Sequence, residues 1–370
     1  PGSRSAYHQY IRCCTAVARR AEALKNVRRF GKRRIRRPWV WYSETKSLLY
    51  RRSNQVDQKL LKYTHLDICG AKVMQIREFG IERWMYEYED RCALNLAETC
   101  VDPLTVRDLL RIANKDTAIL DEISPMKLTY GAIDGSERLR RNVASLYDNK
   151  SARNVIITHG AISANALVYE TLIEPGDHVI SLLPVYQQHY SIPESYGAKV
   201  DVLRLREDHQ FLPNIEALQD LVTSTTRLIS FTNPNNPTGA LMDEAMLKSI
   251  VDVARSCGAY ILCDEVYRGS DQHGTGFTTS LADLYEKGIS TGSMSKTWSL
   301  AGLRVGWIVA AEDILRSVQT RRDYNTISVG MLNDLFASLA LEHRDAILRR
   351  NRSILSCLLY TSDAADDTPC

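Results

Sequence analysis

The sequence lacks the features that mark membrane, secreted or zinc-binding proteins. No apolar run approaches the roughly 20 residues that cross a bilayer, and we see no secretory apolar region at the N-terminus. The nine cysteines contain no Cys-x-x-Cys pair, since Cys13 and Cys14 are adjacent and Cys257 and Cys263 lie six positions apart. Without ligand spacing we expect no metal site. We expect a cytoplasmic protein with reduced thiols, and Cys263 in its core.

The composition is typical of a soluble globular protein, but charge is distributed unevenly along it. Of the 370 residues, 44% are hydrophobic and 25% charged. Residues 1–73 hold 18 Lys and Arg against four Asp and Glu, whereas the remainder holds 29 against 40. A basic segment of this density could bind nucleic acid, form a solvated tail, or be foreign to the native protein. We favour the last interpretation because no helical or strand period organises it.

Both ends of the chain therefore fall outside the predicted domain. We expect Met74, where the charge balance changes sign, to be the true start. The string from Ser356 to Asp367 resembles translated sequencing adaptor, and residues 63–67 resemble another such string. The predicted organisation is a non-native or disordered basic segment at 1–73, one domain at 74–355, and a non-native tail at 356–370.

Between these ends, short apolar strands alternate with helical patterns. Strands are predicted at 155–157, 178–183, 199–205, 228–231, 260–263, 288–291 and 305–310. Helices are predicted at 106–114, 136–147, 161–173, 215–222, 244–257 and 313–321. This alternation predicts an α/β fold with a mainly parallel sheet flanked by helices on both faces. Ligands in such folds bind at the carboxyl ends of the strands.

One lysine stands out at such a strand end. Lys296 follows Ser293-Met294-Ser295 at the edge of an apolar run, and Arg304 lies eight positions further on. A lysine amine attacks a carbonyl only when part of its population is neutral, and burial or a nearby cation lowers its pKa toward that state. Taken alone, this string is also typical of an ordinary loop.

Four other segments follow predicted strands. The turn 159–162 (His-Gly-Ala-Ile) opens a helix and could bring backbone N–H groups to a phosphate. Tyr186 could stack on an aromatic ring, and His189 could hydrogen-bond an acid behind it. The loop 233–239 is stiffened by two prolines and could present the Asn236 amide at fixed geometry. Asp264 ends a buried strand and needs a partner such as a protonated ring nitrogen. Singly, each is also typical of an ordinary turn or packed loop.

In order, Asn-Pro-x-Asn-Pro-Thr-Gly at 233–239, Asp-x-x-Tyr at 264–267, Ser-x-Ser-Lys at 293–296 and Arg304 resemble the fold-type-I pyridoxal-phosphate aminotransferases of classes I and II. The resemblance covers roughly residues 74–355. It implies the large domain of that fold, with a mainly parallel mixed sheet flanked by helices. It also implies that the C-terminal small domain, with its substrate-carboxylate arginine, is largely missing, so that this chain could be inactive.

The resemblance assigns catalytic roles. Lys296 would form the internal aldimine with pyridoxal 5′-phosphate and then move the substrate proton. Asp264 would pair with the pyridinium nitrogen, supported by His189. Asn236 and Tyr267 would hydrogen-bond the 3′-oxygen of the ring.

The resemblance also assigns the remaining cofactor contacts. Tyr186 would stack on the ring, and Tyr130 would reach the phosphate of a neighbouring subunit, which implies a homodimer. The residues implied to hold the phosphate are Gly160, Ala161 and Ile162 through their backbone, and Ser293, Ser295 and Arg304 through their side chains.

The chain departs from the family at its substrate loop. The segment 94–100 reads Leu-Asn-Leu-Ala-Glu-Thr-Cys, not the Gly-rich version common there, so substrate preference stays open. Trp84 could line the pocket, or pack in the core or at a dimer interface.

Three functions follow from the resemblance. The first is ping-pong transfer of an α-amino group from an amino acid to a 2-oxo acid, and the second a lyase or amino-acid cyclase on the same scaffold. The third, a transcription regulator with an aminotransferase-like domain, requires a helix-turn-helix before residue 74, and we find no such pattern. We therefore expect neither nucleic-acid nor membrane partners.

Overall fold

The computed structural model describes residues 75–93, 95, 97–272 and 276–366. The chain divides into two units, of which one comprises Pro1–Cys14 and Ile76–Cys370. The other, Thr15–Gln75, lies outside the described residues except for Gln75. The predictions for residues 1–73 and for Met74 therefore concern residues outside the described part of the chain.

Seven strands of the described residues form one mixed sheet: β1 Val155–Thr158, β2 His178–Leu183, β3 Lys199–Arg204, β4 Thr226–Thr232, β5 Tyr260–Asp264, β6 Gly288–Ser293 and β7 Gly306–Val309. Their order across it is β1-β7-β6-β5-β4-β2-β3. The pairs β2–β3, β2–β4, β4–β5 and β5–β6 are parallel, and β7 runs antiparallel to both β1 and β6. The predicted mainly parallel sheet is thus confirmed.

Helices occupy the connections and both ends of the described chain. They are α1 Gly80–Tyr88, α2 Val106–Ile112, α3 Ile119–Ile123, α4 Glu137–Ala144, α5 Gly160–Leu172, α6 Gln188–Ser195, α7 Ile215–Leu221, α8 Glu244–Cys257, α9 Leu281–Leu284, α10 Glu312–Arg322, α11 Met331–Glu342 and α12 Arg344–Asp366. Among the described residues, no helix is long and apolar enough to cross a membrane.

Side chains alternate across the sheet, so that each strand serves two cores. In β7, Ile308 packs with residues of α5 and α10, whereas Trp307 and Val309 pack with α4 and α11. In β5, Ile261 and Cys263 join a third cluster with α8. Cys263 is 1% exposed, which confirms its predicted place in the core.

The helix that matches its predicted bounds, α8, carries clear end signals. The side chain of Asp243 accepts a hydrogen bond from the Met246 backbone N–H, which caps the first turn. At the other end Gly258 has φ +73°, a left-handed conformation that favours glycine.

The last helix, α12, runs past Leu355 without interruption to Asp366. The predicted boundary of the tail therefore falls inside a helix. The foreign origin of residues 356–370 stays a prediction.

Candidate active site

Strand register brings the predicted segments to one edge of the sheet. Gly306 at the start of β7 pairs with Thr158 at the end of β1 and with Ser293 at the end of β6. One strand further along, Thr232 pairs with Asp264. Because β7 is antiparallel to its neighbours, its first residue meets their last ones. The turn 159–162, the lysine loop and Asp264 therefore lie along the same edge.

Lys296 is partly buried among acidic and hydroxyl groups. Its Nζ donates to Thr99 Oγ1 at 2.8 Å and to Cys100 Sγ at 3.2 Å, and lies 3.7 Å from Glu98 Oε1. Burial acts to lower the pKa of Lys296, but Tyr267, Cys100 and Glu98 outweigh it and raise the pKa above its ordinary value. The expectation of a lowered pKa is wrong because the groups that contact the amine are acids, not cations.

Asp264 is a buried carboxylate, as predicted from its strand. It accepts hydrogen bonds from Asn165 Nδ2 at 2.7 Å and from the Val266 backbone N–H at 3.1 Å. Burial raises the pKa of Asp264 to about 6, although these hydrogen bonds and Lys296 act to lower it. The ionised form would be stabilised by a cation placed beside it.

His189 lies behind Asp264 and is completely buried. Its Nε2 is 3.9 Å from Asp264 Oδ2, and its Nδ1 is 2.6 Å from Ser230 Oγ and 3.0 Å from Tyr169 OH. Burial lowers the pKa of His189 to about 3, so the imidazole is neutral near pH 7. It can support Asp264 only as a neutral ring.

Asn165 is a site residue that the sequence reasoning missed. Its side chain spans two strands, since Nδ2 donates to Asp264 and Oδ1 accepts from Thr291 Oγ1 at 2.7 Å. It is 1% exposed within α5, between Ala164 and Leu167, which are fully buried. An amide in an otherwise apolar helix face was the available signal, because such a group needs a buried partner.

The two tyrosines beside the site are each engaged by a neighbour. Tyr267 OH donates to Thr99 Oγ1 at 3.2 Å, and the same Thr99 oxygen accepts from Lys296 Nζ. Tyr186 OH donates to Glu82 Oε1 at 2.7 Å. Burial and this carboxylate raise the pKa of Tyr186, which stays protonated.

At the start of α5, Gly160, Gly306 and Arg304 lie close together and form a narrow pocket, here called the cradle. Gly160 has φ +75°, and a Cβ there would lie 2.9 Å from Arg304 Nη2. A Cβ at Gly306 would lie 2.3 Å from the Gly160 carbonyl carbon and 2.6 Å from the Ala161 nitrogen. Gly306, which we did not predict, therefore lets β7 approach the turn. The guanidinium of Arg304 faces a helix N-terminus, where unpaired backbone N–H groups attract anions.

Ser293 and Ser295 lie beside this cradle. Ser293 is 2% exposed, and its Oγ accepts from the Ser295 backbone N–H at 3.3 Å. Ser293 is the last residue of β6 and Ser295 follows two residues later, with β7 between β6 and the strand that precedes the turn.

Three of the predicted site residues are less closely associated with the other site residues. Asn236 is partly buried, and its side chain has no hydrogen-bond partner among the described residues. Its neighbour Asn235 instead holds the loop, donating to the Pro184 carbonyl at 3.1 Å. Ile162 and Tyr130 are exposed, Tyr130 to 76%.

The geometry fits a cofactor with an aldehyde, a basic ring nitrogen and a phosphate. The amine of Lys296 suits the aldehyde, the buried Asp264 carboxylate suits a protonated nitrogen, and the glycine cradle with Arg304 suits the phosphate. Pyridoxal phosphate carries all three groups. Fold and site together define a pyridoxal-phosphate enzyme of fold type I.

Comparison with known proteins narrows this class. Residues 105–346 match the model of the family aminotransferase class I and II. The chain belongs to that family, and its cofactor is pyridoxal phosphate.

Solved and curated relatives support this assignment. The chain is similar to a PLP-dependent aminotransferase from Streptococcus suis 89-1591, with 40% identity and a TM-score of 0.76 over 79% of this chain and 77% of that one. It is 28% identical to capreomycidine synthase of Streptomyces vinaceus over 81% of this chain and 78% of that protein. The PLP-dependent cyclase OrfR has 25% identity and a TM-score of 0.69 over 77% of this chain and 73% of that one. The chain spans about half the length of the curated aspartate aminotransferases that it matches.

Proposed function

We propose that the protein is an aminotransferase that moves an α-amino group from an amino acid to a 2-oxo acid. The observation that carries the proposal is the placement of Lys296 Nζ and the buried Asp264 carboxylate at one edge of the sheet. Pyridoxal phosphate, when bound, supplies an aldehyde that combines with amines and a ring that accepts electrons.

The residues around Lys296 Nζ would prepare it for proton transfer. Thr99 Oγ1 accepts from the amine at 2.8 Å and also from Tyr267 OH at 3.2 Å. These two contacts orient the amine, which must lose a proton before it can take one from the substrate α-carbon. The acids that raise its pKa would oppose that loss, so Lys296 would act as a base only as a free amine that has passed its extra proton to a neighbouring group or to water.

Asp264 would act by holding a positive charge in the ring. Its carboxylate is fixed by Asn165 and by the Val266 N–H, at 2.7 and 3.1 Å. Burial makes the ionised carboxylate unfavourable alone and favourable beside a protonated nitrogen. The residue therefore favours the protonated ring, which withdraws electrons more strongly.

A second candidate function is elimination or cyclisation on the same scaffold. Two relatives that align over most of this chain, capreomycidine synthase and the cyclase OrfR, are not named aminotransferases. Elimination or cyclisation on this scaffold would use the same lysine and carboxylate, so Lys296 and Asp264 support either outcome.

Isotope transfer distinguishes the two functions. The full chain is loaded with pyridoxal phosphate and given a ¹⁵N-labelled amino acid together with a 2-oxo acid. Transfer predicts a second amino acid that carries the label, and an unchanged acceptor contradicts it. Release of labelled ammonia, or a cyclic product formed without the 2-oxo acid, favours the second function.

We also propose that the enzyme is a homodimer. Tyr130, the residue that the family resemblance assigns to the partner's phosphate, is 76% exposed. Its hydroxyl is thus available to a second copy of the chain.

A further inference from the structure

Glu98 is a carboxylate beside the reactive amine, in a segment that precedes the family match. The match begins at residue 105, so the carboxylate lies outside the matched region. Glu98 Oε1 accepts from the backbone N–H groups of Thr99 at 2.8 Å and Cys100 at 2.9 Å. The same three-residue segment thus fixes the carboxylate and supplies two contacts to Lys296.

The Glu98 carboxylate is negatively charged and lies beside Lys296. Burial acts to raise the pKa of Glu98, but the Cys100 hydrogen bond and the charge of Lys296 outweigh it and keep the pKa below its ordinary value. Oε1 lies 3.7 Å from Lys296 Nζ, and among the ion pairs of the described residues Glu98 takes part only in this one. The side chain is 37% exposed, so it can be reached from outside.

An amino acid that approaches Lys296 comes close to the negative charge of the Glu98 carboxylate. A cationic side chain can form a charge-assisted hydrogen bond with the carboxylate. An anionic side chain would meet a like charge at short range, which is costly. A neutral side chain gains neither effect.

We propose that Glu98 is a specificity-determining residue that selects amino acids with a cationic side chain, a guanidinium or an ammonium group, as substrate. This inference rests on the function proposed above and names the substrate class of the same site. It does not depend on whether the reaction ends in transfer or in cyclisation.

Equilibrium dialysis of the full chain loaded with pyridoxal phosphate tests the inference. The probes are arginine, its neutral isostere citrulline, and glutamate. The wild type should bind arginine at least about tenfold more tightly than citrulline, and glutamate least tightly. Glu98→Gln keeps an oxygen for the two backbone N–H groups but removes the charge. It should bring the arginine-to-citrulline ratio within about twofold of unity.

A matched variant controls for the loss of one negative charge. Glu78→Gln removes an exposed carboxylate that pairs with Arg83, and it should keep the wild-type ratio. An equal loss of arginine and citrulline binding in Glu98→Gln overturns the inference, since it shows a structural role alone. A wild-type ratio near unity also overturns it. Failure of the wild type to bind arginine overturns it as well, whereas the ¹⁵N-transfer experiment tests the proposed function separately.

Discussion

Asp264 shows how burial and cofactor chemistry are linked at a single residue. It is 5% exposed at the end of β5, and burial raises its pKa from 3.8 to about 6. A carboxyl whose pKa is higher in the folded than in the unfolded chain destabilises the folded state as pH rises through the interval between the two values. A protonated ring nitrogen beside the carboxylate would offset that destabilisation.

The substitution Asp264→Asn should therefore change how stability depends on pH in the cofactor-free protein. Below about pH 4 the wild-type carboxyl is neutral, so the substitution removes no charge there. Between about pH 4 and pH 7 the stability difference should shift in favour of the variant by up to about 3 kcal/mol, since one pKa unit corresponds to about 1.36 kcal/mol. Urea unfolding at several pH values measures this shift.

The control for Asp264→Asn is Asp313→Asn, which removes an exposed carboxylate on α10. Parallel stability curves for Asp264→Asn and wild type across this pH range would show that burial does not raise the pKa of Asp264. Saturation with pyridoxal phosphate should remove the advantage of the variant.

Individual site residues could be predicted where a local sequence pattern marked them. Asp264 ends an apolar strand, and Lys296 lies in a short string of hydroxyl residues. Thr99 and Cys100 could not be predicted as partners of Lys296, because nearly 200 residues separate them and only the tertiary fold brings them together.

At the scale of elements, the close approach of β7 to the turn before α5 determines the shape of the cradle. Gly306 pairs with both neighbouring strands, and no space for a Cβ exists between it and Gly160. A methyl group there must push the turn and the first N–H groups of α5 outward. Such overpacking typically costs about 1–3 kcal/mol.

Gly306→Ala should consequently weaken pyridoxal phosphate binding about tenfold or more and lower the melting temperature. Gly302→Ala is the matched control, because a Cβ at Gly302 meets nothing within 4 Å. Absorbance titration with the cofactor measures the affinity of both variants. Equal affinities for Gly306→Ala and Gly302→Ala would show that the approach of β7 does not shape the cradle.

Elements were predictable where period and end signals agreed. The bounds of α8 follow from its apolar face, its Asp243 cap and the left-handed Gly258. By contrast, α6 was not predicted, because it contains Pro193 and has no side-chain cap. Helix α1 buries no residue, so it carries no core-facing stripe that a sequence pattern could reveal.

At the scale of the whole molecule, the central question is whether two chains share each site. Tyr130 is 76% exposed, and the proposed homodimer of two 41.9 kDa chains would have a mass of about 84 kDa. The fold class was predictable from the alternation of strand and helix patterns in the sequence. The association of two chains leaves no comparable local pattern.

Mixed dimers of two variants, each lacking one residue of the proposed shared site, test whether the site is shared. Tyr130→Ala and Lys296→Ala, carrying different affinity tags, are co-expressed and purified through both tags. One site of each mixed dimer has both wild-type residues, so about half of the wild-type activity per dimer should return. Activity no higher than the average of the two pure variants would contradict a site shared between subunits.

The lysine to which pyridoxal phosphate attaches is the most direct test of the assignment of Lys296 as the reactive amine. The full chain is loaded with pyridoxal phosphate, reduced with borohydride, digested and mapped by mass spectrometry. One label per chain is expected on Lys296, unchanged in Lys287→Ala and absent in Lys296→Ala. A label on another lysine, or one that persists in Lys296→Ala, would contradict that assignment.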